Sequence, residues 1–309
     1  MKFVHQTLSL NKIDFEDQTF CLSYPCRASN LLPSIDLVGI IHPPVLRQKE
    51  DRYQIVCGRG RLEAARQLGH QEVVCKVLPG WVDDLTCLAI SFEENVTTRG
   101  FNLVEKALVV EKFLDYLPDE EVIQHILPRL GLAPRYQHLE FLKQLGFLEE
   151  EAKELLVAEV LNPQVAVKLL EWDEESRKDF ICLIRQLRPS FSRQREIYEI
   201  LADLARKEEI SVKDLIDEEA QDIVADERLN PPQKVEKLFQ RLRKRLYPTL
   251  SRHEAHYQKV ARKLAPYGLR LKASPSFEKD SWQIEIKVKK LSELKEKWPE
   301  IAALLAELA

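Results

Sequence analysis

The residues best suited to chemistry in this chain are two glycines and two arginines that alternate at Gly58, Arg59, Gly60 and Arg61. They follow the apolar run Ile55–Cys57, which predicts a buried strand, and they open a predicted helix. Glycine allows close approach of the backbone, a helix start offers free N–H groups, and arginine forks onto phosphate oxygens. The pattern predicts a phosphate-binding turn. A tight turn with two solvated arginines is the alternative that it leaves open.

The elements that must position this turn are a strand on either side of it and one short helix. The helix is predicted over Leu62–Leu68, with Gly69 as its C-terminal stop, and the second strand over Val73–Val77. Before them, Leu31–Val45 is predicted as a helix that ends at Gly39 and continues into an extended segment. These elements predict an α/β domain in the N-terminal part of the chain.

Two further helices follow a pattern that is common in DNA-binding proteins. A helix is predicted over Asp119–Leu130 and a second over Pro134–Leu145, with a turn at Gly131 between them, which is the helix-turn-helix signature. The same unit also occurs as a plain packing element, in which case its polar face is simply solvated. Four side chains on or near the exposed side of the second helix are the predicted DNA contacts: Arg135, Gln137, His138 and Lys143.

A local basic segment lies in the C-terminal third. The acidic stretch Asp214–Glu227 is interpreted as a linker, and Lys234–Leu246 as an amphipathic helix. Arg241–Lys263 then holds eight Lys or Arg residues against a single acid, Glu254. Such a helix can bind phosphate backbone without reading sequence, or it can be an ordinary solvated face. The predicted phosphate contacts are Arg241, Arg243, Lys244 and Arg245.

The last residues form a small unit of their own. Leu269–Ala273 and Trp282–Val288 alternate in hydropathy and predict a hairpin, and Ser292–Leu308 predicts a very apolar helix. Two strands and one helix make too small a core to stand alone, so we expect this unit to pair with a second copy of the chain.

Composition restricts the class of protein. The net charge is −4, so any nucleic-acid-binding surface must be local. The sequence has no apolar run of about 18 residues and no signal-like start, which predicts a cytoplasmic protein without a membrane span. The six cysteines include no CxxC pair, so reduced thiols are expected rather than a zinc site.

Three blocks, in this order, resemble the ParB family of chromosome- and plasmid-partition proteins, whose N-terminal domain shares a fold with sulfiredoxin. SIDLVGIIHPPVL, Ser34–Leu46, resembles the family's SI-x-x-x-G-x-x-x-P segment. YQIVCGRGRLEAARQLGHQEVVCKV, Tyr53–Val77, resembles its G-E-R-R-x-R-A-A box with the flanking strands. ENVTTRGFNLVEKA, Glu94–Ala107, is similar to its E-N-x-x-R-x-x-L-N-P-x-E-E-A box. The helix-turn-helix and the terminal hairpin with its helix also stand where the family has its DNA-binding and dimerisation units.

The resemblance implies a site for CTP with Mg²⁺. The arginine-rich turn would hold the triphosphate, and the third box would help to hold phosphate and metal. The implied metal-binding residues are Glu94 and Asn95. The implied nucleotide-binding residues are Gly58, Arg59, Gly60, Arg61, Asn95 and Arg99.

This sequence departs from the family pattern at the turn and in the third box. Arg59 stands where the family has Glu, and Gly60 where it has the first Arg. Thr98 occupies the usual Arg position, and Arg99 the acidic one that follows. Because the last change replaces an oxygen ligand with a cation, it should weaken a magnesium site. We expect nucleotide or anion binding to be retained, with weak or absent hydrolysis.

Other activities of related domains lack their essential group here. The catalytic cysteine of sulfiredoxin and the catalytic glutamate of related ATP-dependent kinases both belong in the turn where Arg59 stands. A nuclease activity has been attached to the family's name, but the sequence shows no clustered carboxylates and histidines to hold its metals. At most a weak CTPase is expected, and no sulfiredoxin-type reductase.

The sequence therefore predicts an α+β, predominantly helical protein in four parts. They are a nucleotide-binding domain at 1–115, a helical domain at 116–216, a linker with basic helices at 217–263, and a dimerisation unit at 264–309. The resemblance implies a dimeric, CTP-responsive DNA clamp on the nucleoid, in partition or transcription regulation. Its expected partners are DNA, a nucleoside triphosphate, a second copy and a partition ATPase. The alternative is a protein–protein adaptor that keeps the fold without nucleotide switching or specific DNA binding.

Overall fold

The computed structural model of the chain describes residues 3–25, 28–273, 282–286, 295, 298–303 and 306. It forms two compact units, Met1–Asp173 and Glu174–Ala309. A β-sheet with helices makes up the first unit, and helices with a hairpin make up the second, which confirms the predicted α+β, mainly helical class. The finer four-part division stays a prediction. Within the described part of the chain, no helix is both long enough and apolar enough to span a membrane.

A five-stranded mixed sheet is the centre of the first unit. In spatial order the strands are β1-β5-β3-β4-β2, with β3 parallel to β5 and antiparallel to β4. Leu46, Ile55 and Cys75 on its strands pack with Leu62 and Ala65 from the following helix into one apolar core. The strands are β1 (Val4–Ser9), β2 (Ile13–Asp14), β3 (Val45–Lys49), β4 (Arg52–Cys57) and β5 (Glu72–Leu78).

Four helices accompany this sheet: α1 (Leu32–Val38), α2 (Arg59–Gln67), α3 (Asp84–Thr98) and α4 (Leu103–Leu114). The predicted strand, glycine turn, helix and strand are confirmed as β4, Gly58, α2 and β5. The helix begins at Arg59 rather than Leu62, because Gly58 itself takes the capping position in a left-handed conformation.

The segment predicted as a helix-turn-helix contains two helical arms around Gly131, whose φ is +74°. The first arm is irregular: α5 (Asp119–Glu121) runs into a π-helical stretch, Val122–Ile126, and a 3₁₀ turn, Pro128–Leu130. The second arm is α6 (Tyr136–Gly146), which buries Leu139, Leu142 and Leu145. Its start differs from the prediction, since Arg135 is the extended capping residue and Pro134 lies before the helix. The unit continues with α7 (Glu150–Val157) and α8 (Pro163–Leu169).

The second unit is built mainly from helices, with one hairpin among its described residues. The interpretation of Asp214–Glu227 as a linker is wrong, because Val212–Ala225 is a helix. Leu215, Ile216 and Ile223 recur at helical spacing in this acidic stretch and are buried on one side of the helix. Their burial stabilises the helix although many of its other positions are acidic. The helices are α9 (Glu174–Leu187), α10 (Phe191–Glu208), α11 (Val212–Ala225), α12 (Pro231–Leu246) and α13 (Pro248–Leu264).

The predicted hairpin is confirmed as β6 (Leu269–Ala273) and β7 (Trp282–Ile286), which pair antiparallel. Val260, Leu264, Leu269 and Ile301 form a small buried cluster beside it. Much of the predicted last helix, Ser292–Leu308, lies outside the described residues. The buried cluster that is described beside the hairpin is small. Pairing of this C-terminal region with a second copy of the chain stays a prediction.

Candidate functional site

Gly58 is required by both the backbone and its surroundings. Its φ is +87°, a left-handed conformation that strains residues with a side chain. A Cβ at this position would lie 2.8 Å from Nη2 of Arg61 and 2.9 Å from Cβ of Pro44, both closer than non-bonded atoms normally approach. The capping residue Gly58 has no side chain to accept from the first N–H groups of α2, although the amide of Arg61 donates to its carbonyl oxygen at 3.0 Å.

This turn opens onto a cavity of about 720 Å³. The cavity wall is formed by the turn, the C-terminal end of α3, the start of α4 and the loop Phe20–Pro25. The structure brings all the predicted nucleotide and metal residues to this wall, and their binding roles stay predictions. They are Gly58, Arg59, Gly60, Arg61, Glu94, Asn95 and Arg99.

Arg61 holds its guanidinium group at the cavity wall beside Glu94. Its Nη1 donates to the carbonyl oxygen of His42 at 2.6 Å, and its Nη2 donates to Oε1 of Glu94. The two side chains are 18% and 32% exposed, so an anion in the cavity can reach the pair. A guanidinium has five N–H donors, and a phosphate can occupy those that Glu94 and His42 leave over.

The contacts of Arg59 differ from those of Arg61. Its buried guanidinium donates from Nη1 to the carbonyl oxygen of Phe15 at 2.6 Å and from Nη2 to the carbonyl oxygen of Asp17. Nη1 also lies 3.4 Å from the carboxylate of Glu63. These bonds fasten the segment after β2 to α2. The predicted contact between Arg59 and phosphate would require some of them to break.

Arg99 connects three segments at the rim of the cavity. It follows α3 directly, and its Nε donates to Oδ1 of Asn95 at 3.0 Å. Its Nη1 donates to Oε2 of Glu105 at 2.8 Å, and its Nη2 donates to Oγ of Ser23 at 3.0 Å. Since its side chain is 42% exposed, Arg99 keeps a face towards the cavity and solvent while it holds these partners.

Glu105 matches the third family block by position, and in the structure its carboxylate joins three parts of the cavity wall. Its carboxylate is only 2% exposed, yet it accepts from the amides of Tyr24 and Asn102, both at 3.0 Å, and from Arg99. With Asn102 it forms a capping box at the start of α4, and Asn102 also donates to the carbonyl oxygen of Tyr24. The capping-box spacing was visible in the sequence. The attachment of the loop Phe20–Pro25 was not, because it is a long-range contact.

Two other residues of the wall were absent from the predicted site. Lys76 on β5 lines the cavity, and its Nζ lies 5.9 Å from the ring of Phe3. Cys57 lines it too, but burial, with the nearby charge of Glu94, raises the pKa of its thiol to about 12. A thiol with such a pKa stays protonated at neutral pH, so Cys57 is not suited to act as a nucleophile.

The oxygen donors at the cavity do not fit a magnesium ion as they are arranged. Glu94 is bonded to Arg61, and the side-chain oxygen of Asn95 accepts from Arg99. Across the described residues, no group of three or more His, Cys, Asp or Glu side chains could hold a metal ion. Mg²⁺ prefers several unobstructed oxygen ligands in octahedral geometry.

The side chains predicted to contact DNA from α6 differ in whether they already have partners within the protein. Arg135 and Gln137 are exposed at the start of the helix. Nδ1 of His138 lies 2.8 Å from the carbonyl oxygen of Ala133. The ammonium of Lys143 lies 3.1 Å from Glu140 and 3.6 Å from Asp119. Of the four predicted contacts, Arg135 and Gln137 are the two for which the described residues show no side-chain hydrogen bond or ion pair.

The arginines predicted to bind phosphate on α12 have carboxylate partners. Arg241 bonds to Asp222 at 2.6 Å and Arg243 to Glu254 at 2.6 Å. Arg245 donates to Glu208, Glu218 and Glu219, at 2.6, 2.7 and 2.7 Å, and its hydrogen bond to the carboxylate of Glu208 is the main cause of its raised pKa. Lys244 is exposed. Three of the four predicted phosphate contacts are thus paired with carboxylates of their own unit.

Comparison with known families agrees with the resemblance. Residues 7–96 match the family model of the ParB N-terminal domain. This range contains the end of β1, all of β2 to β5, the Gly58–Arg61 turn and most of α3.

Curated relatives include partition and nucleoid proteins. The chain is 27% identical over 172 residues to a probable chromosome-partitioning protein ParB of Coxiella burnetii, which covers 48% of this chain and 59% of that protein. It is 30% identical over 102 residues to a nucleoid occlusion protein of Halalkalibacterium halodurans, covering 32% and 35%. The chain thus spans less than two thirds of these relatives.

A solved structure is also similar to this chain. The C-terminally truncated ParB of Caulobacter crescentus, complexed with CTP-gamma-S, is 23% identical, with coverage of 59% of this chain and 98% of that one and a TM-score of 0.27. A TM-score of this size establishes neither a shared overall geometry nor a shared ligand.

Proposed function

Because the chain is a ParB-like protein with a ParB N-terminal domain at residues 7–96, we propose that it is a DNA-binding partition protein that binds a nucleoside triphosphate. The observation that carries the nucleotide part is the Gly58–Arg61 turn at the start of α2, open to a cavity of about 720 Å³. Pockets for small ligands typically have volumes of about 300–1,000 Å³, so this one is large enough for a nucleotide.

Each part of the turn has a task towards a triphosphate. Gly58 lets the backbone approach the ligand, and the start of α2 carries the positive end of the helix dipole. Arg61 and Arg99 supply guanidinium groups from two sides of the cavity. The phosphate chain would lie at the turn between them. The choice of CTP as the nucleotide follows from the family resemblance.

Nucleotide titration tests this part of the proposal. Isothermal titration with CTP, ATP, GTP and UTP should show selective binding of CTP. Arg61→Ala should weaken it by about ten- to a hundredfold, because a hydrogen bond to a charged group contributes about 1.5–3 kcal/mol. Arg206→Ala is the matched control, since that arginine is 81% exposed and belongs to the other unit. A protein that binds none of the four nucleotides would refute the proposed site.

Removing Arg61 also leaves Glu94 without its partner, so part of the loss could come from repulsion. The double variant Arg61→Ala/Glu94→Gln separates the two effects. If binding recovers fully in the double variant, Arg61 acts by neutralising Glu94 and not by holding phosphate. If the loss persists, Arg61 contacts the ligand.

DNA binding is proposed for the start of α6. Arg135 and Gln137 are exposed there, next to the turn at Gly131. Fluorescence anisotropy with a duplex, repeated over a series of KCl concentrations, gives the number of phosphate contacts from the slope of log affinity against log salt. Arg135→Ala should reduce that slope by about one if the arginine contacts phosphate. An unchanged slope would remove Arg135 from the interface.

The clamp itself is a further part of the proposal. The C-terminal hairpin unit would pair two copies, and nucleotide would bias the association of the two N-terminal units, in partition or in transcription regulation. Sedimentation velocity of the full chain should show a dimer without nucleotide. A monomer at micromolar concentration would contradict the pairing role. A partition ATPase and the nucleoid remain the expected partner and location.

The ion pairs of α12 favour a second candidate, a protein–protein adaptor. Arg241, Arg243 and Arg245 are already paired with carboxylates, so a DNA phosphate would have to displace those partners. An adaptor would bind duplex weakly at every salt concentration and show no steep slope. The salt series described for α6 therefore distinguishes the two functions.

A further inference from the structure

Each carboxylate on the cavity wall has an arginine as its partner. Glu94 is bonded to Arg61, and Glu105 is bonded to Arg99 and to two backbone amides. Glu105 is buried at 2% exposure, so it is closed to an ion in the cavity. Glu94 is the more accessible of the two, and because its Oε1 accepts from Arg61, a divalent cation at this carboxylate would stand beside a guanidinium.

The neutral oxygen donor nearest to Glu94 is engaged as well. Oδ1 of Asn95 accepts from Nε of Arg99 at 3.0 Å, and Nδ2 of Asn95 donates to the carbonyl oxygen of Ser91 at 2.8 Å. The amide is thus held from both ends with its oxygen towards a cation. A metal ion beside Asn95 would stand next to the positive charge of Arg99.

The charges of the wall favour an anion. Its lining contains four cationic side chains, Arg59, Arg61, Lys76 and Arg99, and two acidic ones, Glu94 and Glu105. Among the described contacts, three N–H donors of Arg99 and two of Arg61 are in use. Each guanidinium has five, so both retain donors for a phosphate group.

We infer that this site holds the triphosphate of its nucleotide without a divalent cation, and that Arg99 supplies the counter-charge from the rim. This inference rests on the proposed nucleotide site. In it, the phosphate chain lies between the start of α2 and Arg99. Arg61 and Arg99 neutralise its charge, and the bonds of Arg99 to Asn95, Glu105 and Ser23 fix the direction of the guanidinium.

The deciding experiment is a CTP titration of the full chain, by calorimetry, in MgCl₂ and in EDTA at equal ionic strength. The dissociation constant should be at least about threefold higher in MgCl₂ than in EDTA, because Mg²⁺ complexes the triphosphate in solution and the site takes the nucleotide without the metal. Arg99→Lys should keep part of the EDTA affinity, because it keeps the charge but not the fork. Arg99→Glu should lower the EDTA affinity by at least about tenfold and recover when Mg²⁺ is added. Arg206→Glu is the matched control for the charge change.

A second measurement is independent of nucleotide. Mn²⁺ alone, titrated into the wild-type protein and followed by electron paramagnetic resonance, should show no saturable site. A stoichiometric Mn²⁺ site that Glu94→Gln removes would overturn the inference even if Arg99→Glu fails to fold.

The outcomes separate this inference from the proposed function. Tighter binding in EDTA than in MgCl₂ supports both. Equal or tighter binding in MgCl₂ overturns the metal-free site and leaves the nucleotide function in place. No binding in either condition overturns both.

Discussion

Replacing Gly58 with alanine should destabilise the N-terminal unit more than the same change at another glycine of similar backbone conformation. Gly58 has a φ of +87°. A Cβ added there would lie 2.8 Å from Nη2 of Arg61 and 2.9 Å from Cβ of Pro44. A left-handed conformation costs a residue with a side chain about 1–2 kcal/mol. Crowding in a packed place adds about 1–3 kcal/mol. We expect the free energy of unfolding to fall by about 2–5 kcal/mol.

Gly69 is the matched control. Its φ is +78°, and within the described residues no heavy atom lies within 4 Å of an ideal Cβ. Gly69→Ala therefore carries the conformational cost alone, about 1–2 kcal/mol, partly offset because alanine also restricts the unfolded chain. The difference between the two variants isolates the crowding around the turn.

The assay is urea unfolding followed by far-UV circular dichroism, with amide hydrogen exchange to locate the change in α2 and β4. Hydrogen exchange is needed because a chain of two compact units need not unfold in one step. Equal losses for Gly58→Ala and Gly69→Ala would refute the crowding argument. A small loss at both positions would also refute the conformational one.

Three other perturbations test the remaining contacts. Arg59→Ala should lower the free energy of unfolding by about 3 kcal/mol, because two half-buried carbonyl oxygens and a carboxylate lose the charged donor that a buried arginine supplies, and urea unfolding measures it. Glu105→Gln should lower the free energy of unfolding by about 2 kcal/mol, since an amide oxygen cannot accept from all three donors as a carboxylate does. Faster hydrogen exchange of the Tyr24 amide would report the loss. The thiol of Cys57 should resist iodoacetamide at pH 8, because burial raises its pKa to about 12 and keeps it protonated. The exposed thiol of Cys182 should react, and peptide mass spectrometry would distinguish the two.

Matched variants define what would contradict each of these. Arg206→Ala should cost less than about 1 kcal/mol as an exposed pair, and a loss similar to that of Arg59→Ala would mean that the buried bonds add nothing. Glu227→Gln is the exposed control for Glu105. Labelling of Cys57 at the rate of Cys182 in the folded protein would show that the thiol is accessible.

Much of the local structure could be predicted from the sequence. The turn between β4 and α2, the strand after it and the C-terminal hairpin follow from apolar periodicity and from glycines, which are properties of neighbouring residues. Helix α11 could also have been predicted from neighbouring residues, by the spacing of Leu215, Ile216 and Ile223, although this stretch was interpreted as a linker. Its acidic composition was given too much weight against that spacing, because charge on the solvent side of a helix does not oppose burial on the other side.

The sequence by itself determined where the cavity could form, because only glycine suits the conformation of Gly58 and a helix start must follow it. The tertiary structure alone decided which arginine faces it. Arg59 and Arg61 have the same chemistry and lie in one turn, yet one is fastened to carbonyl oxygens more than 40 residues earlier and the other reaches Glu94. The loop held by Glu105, across 81 residues, was decided in the same way. The direction of a charged side chain depends on which partners the fold brings opposite it, and that information is spread over distant parts of the chain.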